Sequence, residues 1–163
     1  MKIIGIDPGF GRMGWGIIES NLGKIIHLEN GCLETDKKIL FENRLKLIYE
    51  FVTGLIQKYQ PDIVSVEELY FAANSKTAIE VAQARGVILL AASKLDIPIS
   101  SYTPLQVKLA ITGYGKADKR QIQIMVKSLL SLKSILKGDD AADALAVALT
   151  SAFSYKLQRR SAI

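Results

Sequence analysis

The sequence has little of what a secreted or membrane-bound protein needs. Cys32 is its only cysteine, which excludes an internal disulfide and fits a reducing cytoplasm. No uncharged apolar run approaches the roughly 18 residues that are needed to span a bilayer. The apolar stretch from Ile3 to Ile6 has the length of a strand and stops at Asp7, so it does not have the form of a signal peptide. We therefore expect a cytoplasmic protein.

The sequence also lacks internal repeats, low-complexity segments and any linker that would divide it. With 163 residues, of which 49% are hydrophobic and 23% charged, it has the balance of one folded globular domain. The end of the chain differs, because residues 155–163 contain Lys156, Arg159 and Arg160 and no acid. We predict a single domain over residues 1–155 and a flexible basic tail over residues 156–163.

Positive charge is concentrated in the second half of the chain. The formal net charge is +5. Between Lys94 and Lys137, eight basic residues are opposed only by Asp96 and Asp118. A basic region of this density is able to contact phosphates, but a solvated lysine-rich surface fits it equally well. The charge permits nucleic-acid binding without establishing it.

Hydrophobic periodicity predicts five strands and five helices in the order βββαβαβααα. This order indicates an α/β protein with a three-layer architecture, in which a five-stranded mixed sheet carries helices on both faces. The hairpin turn between the second and third strands is predicted at Asn21-Leu22-Gly23. The predicted strands are Lys2–Ile6, Met13–Glu19, Lys24–Leu33, Ile63–Val66 and Ile97–Tyr102, and the predicted helices are Phe41–Tyr59, Ser75–Leu95, Pro104–Ile111, Lys119–Leu132 and Asp140–Tyr155.

The second predicted helix, Ser75–Leu95, is apolar around much of its circumference. Gly86 stands in its middle, where a glycine costs on the order of 1 kcal/mol relative to alanine. We expect close packing at Gly86 to compensate for this cost.

Four acidic residues occupy positions typical of a metal-dependent active site. Asp7 and Glu67 end two predicted strands, and sites in open α/β sheets lie beyond the carboxyl ends of strands. Asp140 and Asp143 are three residues apart in a helix and so share one face. Converging carboxylates repel one another, and bound Mg²⁺, which prefers oxygen ligands, removes the conflict. Two such ions support in-line phosphoryl displacement.

Each acid also has a simpler explanation. Asp7 before Pro-Gly has the context of an ordinary turn residue, and Glu67 and Glu68 end a strand where at least one, by our choice Glu68, is solvated. Asp139 or Asp140 is suited to capping the last helix, and capping is the role that we assign to Asp139. Mg²⁺ is a hard cation that binds oxygen and needs no histidine or cysteine ligand. We expect His27 and Cys32, both in the third predicted strand, to lie far from the acidic residues.

Seven sequence segments together resemble a known family. They are Gly5-Ile6-Asp7-Pro8-Gly9, Gly14-Trp15-Gly16, Val66-Glu67 followed by an aromatic pair and Asn74, Gln83-Ala84-Arg85-Gly86, Tyr102 with Pro104 and Val107-Lys108, Gly113 to Lys119, and Asp140-Ala141-Ala142-Asp143-Ala144-Leu145-Ala146. In this order they resemble the RuvC family of Holliday-junction resolvases, over nearly the whole chain. The resemblance implies a ribonuclease-H-like fold and an endonuclease that cuts four-way DNA junctions by paired incisions during recombination and repair.

The resemblance also assigns roles to residues at matching positions. It implies that Asp7, Glu67, Asp140 and Asp143 are catalytic and hold two Mg²⁺ ions, for which Mn²⁺ substitutes. Some family members have histidine at the third acid, so Asp140 is the least fixed ligand. The junction-contacting aromatic falls on Tyr70, although the family often has phenylalanine there. The basic residues that match near the DNA are Lys108 and Lys119, with Lys116 and Arg120 as less certain neighbours.

The resemblance further implies partners. The family is dimeric, which suits the approximate two-fold symmetry of a junction, and the helix Ser75–Leu95 resembles its dimer helix. It implies 5′-phosphate and 3′-hydroxyl product ends, and a branch-migration complex of the RuvA and RuvB type as a partner.

Two other interpretations remain open at this point. The related RuvX nucleases share the strand-Asp-x-Gly opening, and Arg12-x-Gly14 fits them too, although the helix beginning at Asp140 favours RuvC. Proteins of actin-like fold bind nucleotides after a similar strand, but they are usually built from two related domains, and 163 residues leave room for one.

Overall fold

The protein is described here from a computed structural model, which covers residues 1–21, 24–69, 75–136 and 138–161. The elements follow the predicted order, and helix α1 has the predicted bounds. The predicted turn residues Leu22 and Gly23 lie outside the described residues. The elements are β1 (Lys2–Asp7), β2 (Arg12–Asn21), β3 (Lys24–Glu34), α1 (Phe41–Tyr59), β4 (Ile63–Glu67), α2 (Ser75–Lys94), β5 (Ile99–Tyr102), α3 (Pro104–Thr112), α4 (Lys119–Leu129) and α5 (Asp139–Ser161).

The five strands form one mixed sheet in the order β3-β2-β1-β4-β5. Strands β3, β2 and β1 are antiparallel neighbours, whereas β4 pairs in parallel with both β1 and β5. The connection through α1 returns the chain to a strand parallel to β1, as a helical crossover does. The predicted mixed sheet is confirmed.

Side chains alternate along each strand, and they therefore divide between two cores. Ile4, Ile6 and Val64 pack with buried residues of α1 and α2. On the opposite face, Ile3 and Ile18 pack with buried residues of α3, α4 and α5. Helices thus cover both faces of the sheet, and the predicted three-layer α/β architecture is confirmed.

Glycines allow α5 to lie against the strands at unusually close range. A Cβ atom at Gly5 would overlap the backbone oxygen of Ala144, and one at Gly14 would overlap the backbone oxygen of Asp140. A Cβ at Gly16 would approach the side chain of Leu145 to 2.6 Å, closer than van der Waals contact permits. Because β1 and β2 carry no side chain at these positions, the start of α5 is held directly on the sheet.

The end of helix α5 and the surroundings of Gly86 differ from the predictions. Helix α5 extends to Ser161, six residues beyond the predicted end at Tyr155, because neither proline nor glycine interrupts residues 139–161. The flexibility of the basic tail stays a prediction. The predicted close packing at Gly86 is not found within this chain, since a Cβ there would meet nothing within 4 Å. Gly86 lies on the exposed side of α2, whereas Ala84 and Ile88 face the core.

Among the described residues, no helix combines the length and apolar character that crossing a membrane requires.

Candidate active site

Neighbouring parallel strands bring two of the predicted acids together. Asp7 is the last residue of β1 and Glu67 is the last residue of β4, and the residues before them, Ile6 and Val66, are paired across the sheet. Alternation along the strands puts Asp7 on the same face as Ile3, and Ile3 packs with α5. Asp7 and Glu67 therefore meet at one edge of the sheet, on the side that α5 covers.

The N-terminal end of α5 brings the other two acids to the same place. Asp140 and Asp143 lie within α5, three residues apart and on one face of the helix. The backbone of Asp140 occupies the space beside Gly14, which in turn pairs with Asp7 across β1 and β2. The close approach over glycine therefore sets the distance between the helical acids and the strand acids.

The electrostatics of the strand acids indicate concentrated negative charge. Burial raises the pKa of Asp7 well above its ordinary value, and the charges of Glu67, Asp143 and Asp140 raise it further. Burial also raises the pKa of Glu67, with a further contribution from Asp143, to about 7, although a hydrogen bond with Asp7 lowers it in part. At neutral pH this pair therefore retains protons that isolated carboxyl groups would have lost.

Asp143 faces a lysine. Its Oδ2 lies 3.8 Å from Nζ of Lys119. Burial raises the pKa of Asp143, Lys119 opposes this shift, and the charges of Asp139 and Asp140 add to it. The lysine thus offsets part of the acidic charge without removing it.

Asp140 is held by an arginine that the sequence did not single out for the site. Arg12, at the start of β2, donates a hydrogen bond from Nε to Oδ2 of Asp140 at 2.9 Å, and its Nη2 lies 2.8 Å from the same oxygen in an ion pair. The Arg12-x-Gly14 pattern had been noted only as a feature shared with RuvX nucleases. The ion pair between residues 128 positions apart depends on tertiary packing, so the sequence alone gave no signal for it.

The expectation that Cys32 lies far from the acids was wrong. Its Sγ is 3.6 Å from Oδ2 of Asp140. Cys32 pairs with Gly14 across β3 and β2, so no side chain of β2 separates it from the start of α5. Burial raises the pKa of the Cys32 thiol, and the charge of Asp140 raises it further. His27 instead shares a hydrogen bond of 2.7 Å with Asn30.

Asp139 and Glu68 are the acidic neighbours of Asp140 and Glu67 in the sequence. Asp139 was predicted to cap α5, but it is the first residue of the helix itself. It accepts hydrogen bonds from Nε2 of Gln123 at 2.8 Å and from Nζ of Lys119 at 3.3 Å. It therefore joins α5 to α4. Glu68 is exposed, as we expected for the solvated end of a strand.

Two of the predicted basic residues line a cavity beside the acids. This cavity, of about 170 Å³, is bounded by the side chains of Glu67, Asp143, Lys108 and Lys119, together with Pro104, Val107 and Ile122. Lys116 and Arg120 are exposed and do not line it. Tyr70 lies outside the described residues. The cavity thus combines acidic groups with two cations.

A second arginine anchors the strand that carries Glu67. Arg85, in the Gln-Ala-Arg-Gly segment of α2, donates from Nε to the backbone oxygen of Glu67 at 3.3 Å and from Nη2 to Oγ of Ser101 at 2.9 Å. It joins α2 to the ends of β4 and β5. The sequence segment had drawn attention to Arg85 as part of a resemblance, without this role.

The four carboxylates suit divalent cations in donor chemistry and in charge. Carboxylate oxygens are preferred ligands of Mg²⁺. Burial, together with neighbouring carboxylates, raises the pKa values of Asp7, Glu67 and Asp143, and a divalent cation would offset the charge of these groups. As the side chains lie, however, no three His, Cys, Asp or Glu residues in the described part of the chain are arranged to hold one ion. Asp140 in particular is bound to Arg12. A shared ion therefore requires side-chain rotation, above all at Asp140.

Comparisons with known proteins agree with this architecture. A family model described as crossover junction endodeoxyribonuclease RuvC matches residues 3–151. The chain is 54% identical over 148 residues to a crossover junction endodeoxyribonuclease RuvC of Thermosipho melanesiensis, covering 91% of this chain and 94% of that one. It is 49% identical over 160 residues to the protein of that name from Halothermothrix orenii, covering 98% and 97%.

Solved structures give the same result. The structure of RuvC from T. thermophilus in complex with a Holliday junction substrate superposes with a TM-score of 0.92, at 33% identity, covering 97% of this chain and 96% of that one. A yeast mitochondrial Holliday junction resolvase superposes with a TM-score of 0.70 at 15% identity, covering 96% of this chain and 80% of that one, a similarity of fold alone.

Proposed function

Because the chain belongs to the RuvC family of crossover junction endodeoxyribonucleases, we propose that it resolves four-way DNA junctions by paired cleavage of phosphodiester bonds, in recombination and repair. The observation that carries this proposal is the convergence of Asp7, Glu67 and Asp143 beside Lys108 and Lys119. Acids that crowd one another are costly for stability, and their placement next to cations suits a site that binds both metal and phosphate. The resemblance in sequence to proteins of this name supports the choice of substrate.

Asp7, Glu67, Asp140 and Asp143 would hold two Mg²⁺ ions in this proposal, and Mn²⁺ would substitute for them. When bound, such ions supply a nucleophilic water at neutral pH and offset charge on the attacking and leaving oxygens. The carboxylates bind the ions by giving up their protons, since a protonated carboxyl group is a poor ligand. Support comes from the raised pKa values of three of the four acids.

The basic residues bind and orient the DNA. Lys108 and Lys119 line the cavity with Glu67 and Asp143, where an ammonium group offsets the charge that grows on a phosphate during cleavage. Lys116 and Arg120 are exposed and would contact the backbone farther out. Tyr70 would stack on an exposed base, an interaction worth roughly 1–3 kcal/mol. Cleavage would leave 5′-phosphate and 3′-hydroxyl ends, which a ligase seals.

The experiment that tests this function uses a labelled mobile four-way junction, with and without Mg²⁺, and maps any nicks on all four strands. We expect symmetric nicks in opposing strands. Asp7→Asn should bind the junction as the wild type does and cleave it at least roughly 10³-fold more slowly, since it weakens the metal site while keeping the shape of the side chain. Glu68→Gln, at the exposed neighbour of Glu67, is the matched control. Native-rate cleavage by Asp7→Asn would refute the assignment.

A homodimer is the second part of the proposal, with α2 as its interface. Ile79 and Leu90 are 65% and 53% exposed, and the exposed residues Ala82 and Gly86 lie between them at helical spacing. The open space over Gly86 would let a second helix approach closely. Two identical sites related by two-fold symmetry would account for paired incisions. A branch-migration complex of the RuvA and RuvB type stays a predicted partner.

Leu90→Glu tests this interface, because a buried charge without a partner disfavours association. We expect sedimentation equilibrium to show a shift from dimer to monomer and single nicks to replace paired ones. Leu47→Glu, at a partly exposed leucine of α1, is the matched control and should leave the protein dimeric. A dimer of undiminished stability in Leu90→Glu, with its circular dichroism melt unchanged, would place the interface elsewhere.

A further inference from the structure

One oxygen of the Asp140 carboxylate, Oδ2, is bound by Arg12. This oxygen accepts a hydrogen bond from Nε of Arg12 at 2.9 Å, and Nη2 of the same guanidinium lies 2.8 Å away in an ion pair. The thiol of Cys32 lies 3.6 Å from the same oxygen. On its other edge, the Arg12 guanidinium has Nη1 at 3.5 Å from Oε1 of Glu34. The guanidinium is thus held between two acids from opposite sides.

A carboxylate oxygen with these donors is a poor ligand for a cation. The charge-assisted hydrogen bond and the ion pair with one guanidinium hold this oxygen in place. A divalent cation near Arg12 would also be repelled by it. Among the four proposed ligands, Asp143 has a looser cationic contact, 3.8 Å from Lys119. Asp140 is therefore the ligand whose availability depends most directly on one other side chain.

Arg12 itself is accessible to a large anion. Its side chain is 56% exposed, whereas that of Asp140 is 25% exposed. Exposed ion pairs contribute little stability, so the contact with Asp140 exchanges readily for another. A guanidinium binds phosphate oxygens through charge-assisted hydrogen bonds, as it binds carboxylate oxygens, and the phosphates of DNA would lie within the proposed site.

We propose that Arg12 is a positioning residue that holds Asp140 away from the metal site in the free protein and releases it when a DNA phosphate takes over the guanidinium. This inference rests on the proposed function, because it requires a divalent cation at Asp140. It makes metal binding and DNA binding favour each other through one side chain. The free protein would accordingly bind its metal more weakly than the DNA complex does.

The first measurement is the affinity for Mn²⁺ without DNA, followed by electron paramagnetic resonance. Arg12→Gln should bind Mn²⁺ roughly two- to fivefold more tightly than the wild type, the change that corresponds to loss of an exposed ion pair. Arg12→Lys keeps the charge but not the paired N–H groups, and its affinity should fall between the two. Lys37→Gln, which removes one exposed positive charge elsewhere, controls for net charge and should match the wild type.

The second measurement is junction binding in EDTA as a function of salt, where no cleavage interferes. Loss of one phosphate contact should reduce the magnitude of the slope of log K against log salt by about 1 in Arg12→Gln. Lys37→Gln should keep the wild-type slope. Because this readout involves no metal, it tests the transfer of Arg12 to DNA separately.

The outcomes separate this inference from the function on which it rests. If neither the wild type nor any variant shows saturable Mn²⁺ binding, the proposed metal site fails and the inference fails with it. If the wild type and Arg12→Gln bind Mn²⁺ equally, or differ only as Lys37→Gln does, the role of Arg12 alone is refuted. Wild-type Mn²⁺ affinity in Arg12→Lys, or an unchanged salt slope in Arg12→Gln, would refute it as well.

Discussion

Strands β1 and β2 present large apolar side chains on one face of the central sheet and glycines on the other. On the face toward α1 and α2, β1 and β2 present large side chains, such as Ile4, Ile6 and Ile17, that are fully buried. On the face toward α5, the same strands present Gly5 and Gly14, and an alanine-rich helix rests on them. The large residues bury apolar area, which drives folding. The glycine positions allow a helix to approach closely enough to place its carboxylates beside those of the strands.

This difference predicts that a mutation on either face should affect mainly one property. Changes on the α1 face should lower the free energy of unfolding and leave the geometry of the folded site unaltered. Changes on the glycine face, meaning the α5-covered surface of β1 and β2 around Gly5, Gly14 and Gly16, should alter the site itself.

The largest expected effect is on stability, at the α1 face. Ile48 is fully buried, and Ile48→Ala should lower the free energy of unfolding by about 2–5 kcal/mol, through lost burial and a cavity. Urea unfolding measures this loss. The rate of junction cleavage by the protein that stays folded should remain within about threefold of the wild-type rate. A loss of rate comparable to that of a site mutation would show that the two faces are not separate.

Gly14→Ala should have its main effect on cleavage. The added methyl group would overlap the backbone oxygen of Asp140, so α5 must shift, and a displacement of about 1 Å in a catalytic group costs roughly 10²-fold in rate. Single-turnover cleavage of a bound junction measures this loss. The matched control is Gly54→Ala in α1, where a Cβ meets nothing within 4 Å. That change should leave the rate unaltered and stabilise the helix by about 1 kcal/mol.

The smallest effect expected is a pH-dependent one at Glu67, which ends β4 beside the glycine face. The pKa of Glu67 is raised from 4.5 to about 7, first by burial. A raised pKa in the folded state contributes stability that is present at low pH and is lost as the pH rises through about 7. In metal-free buffer, Glu67→Gln should therefore stabilise the protein at pH 8, by on the order of 2 kcal/mol, and by less at pH 5.

Thermal melts of the wild type, Glu67→Gln and Glu68→Gln at both pH values check this prediction. Glu68→Gln is the control, because Glu68 is exposed. Equal stabilisation by Glu67→Gln at pH 5 and pH 8 would show that the acids do not crowd one another in the metal-free protein.

Local patterns in the sequence predicted most of the fold. The spacing of apolar residues predicted helix α1, because the periodicity of an amphipathic helix lies within neighbouring residues. Pro61, which cannot continue a helix, predicted its end. The positions of Asp7 and Glu67 at the ends of buried strands predicted that they would share one edge of the sheet. These predictions required only short-range information and the rule that parallel strands end together.

Other features of the site depend on residues that are distant in the chain. The contacts of Asp140 with Arg12 and with Cys32 span 128 and 108 residues, and they arise where β2, β3 and α5 meet over Gly14. The spacing of residues along the chain does not indicate such contacts, so the prediction that Cys32 lies far from the acids was wrong. The surroundings of Gly86 differ from the prediction for a similar reason. The sequence shows that a helix is apolar, but it does not show which side of the helix the core leaves exposed.

The sequence by itself determined the order of the strands and helices and the kinds of groups in the site, because both follow from side-chain chemistry and short-range spacing. Only the tertiary structure decided which partner each acid has: Asp7 and Glu67 share a hydrogen bond, Asp143 faces Lys119, and Asp140 is paired with Arg12. The physical reason is that charge interactions depend on distance and burial, and both are set only when α5 settles on the glycines of the sheet.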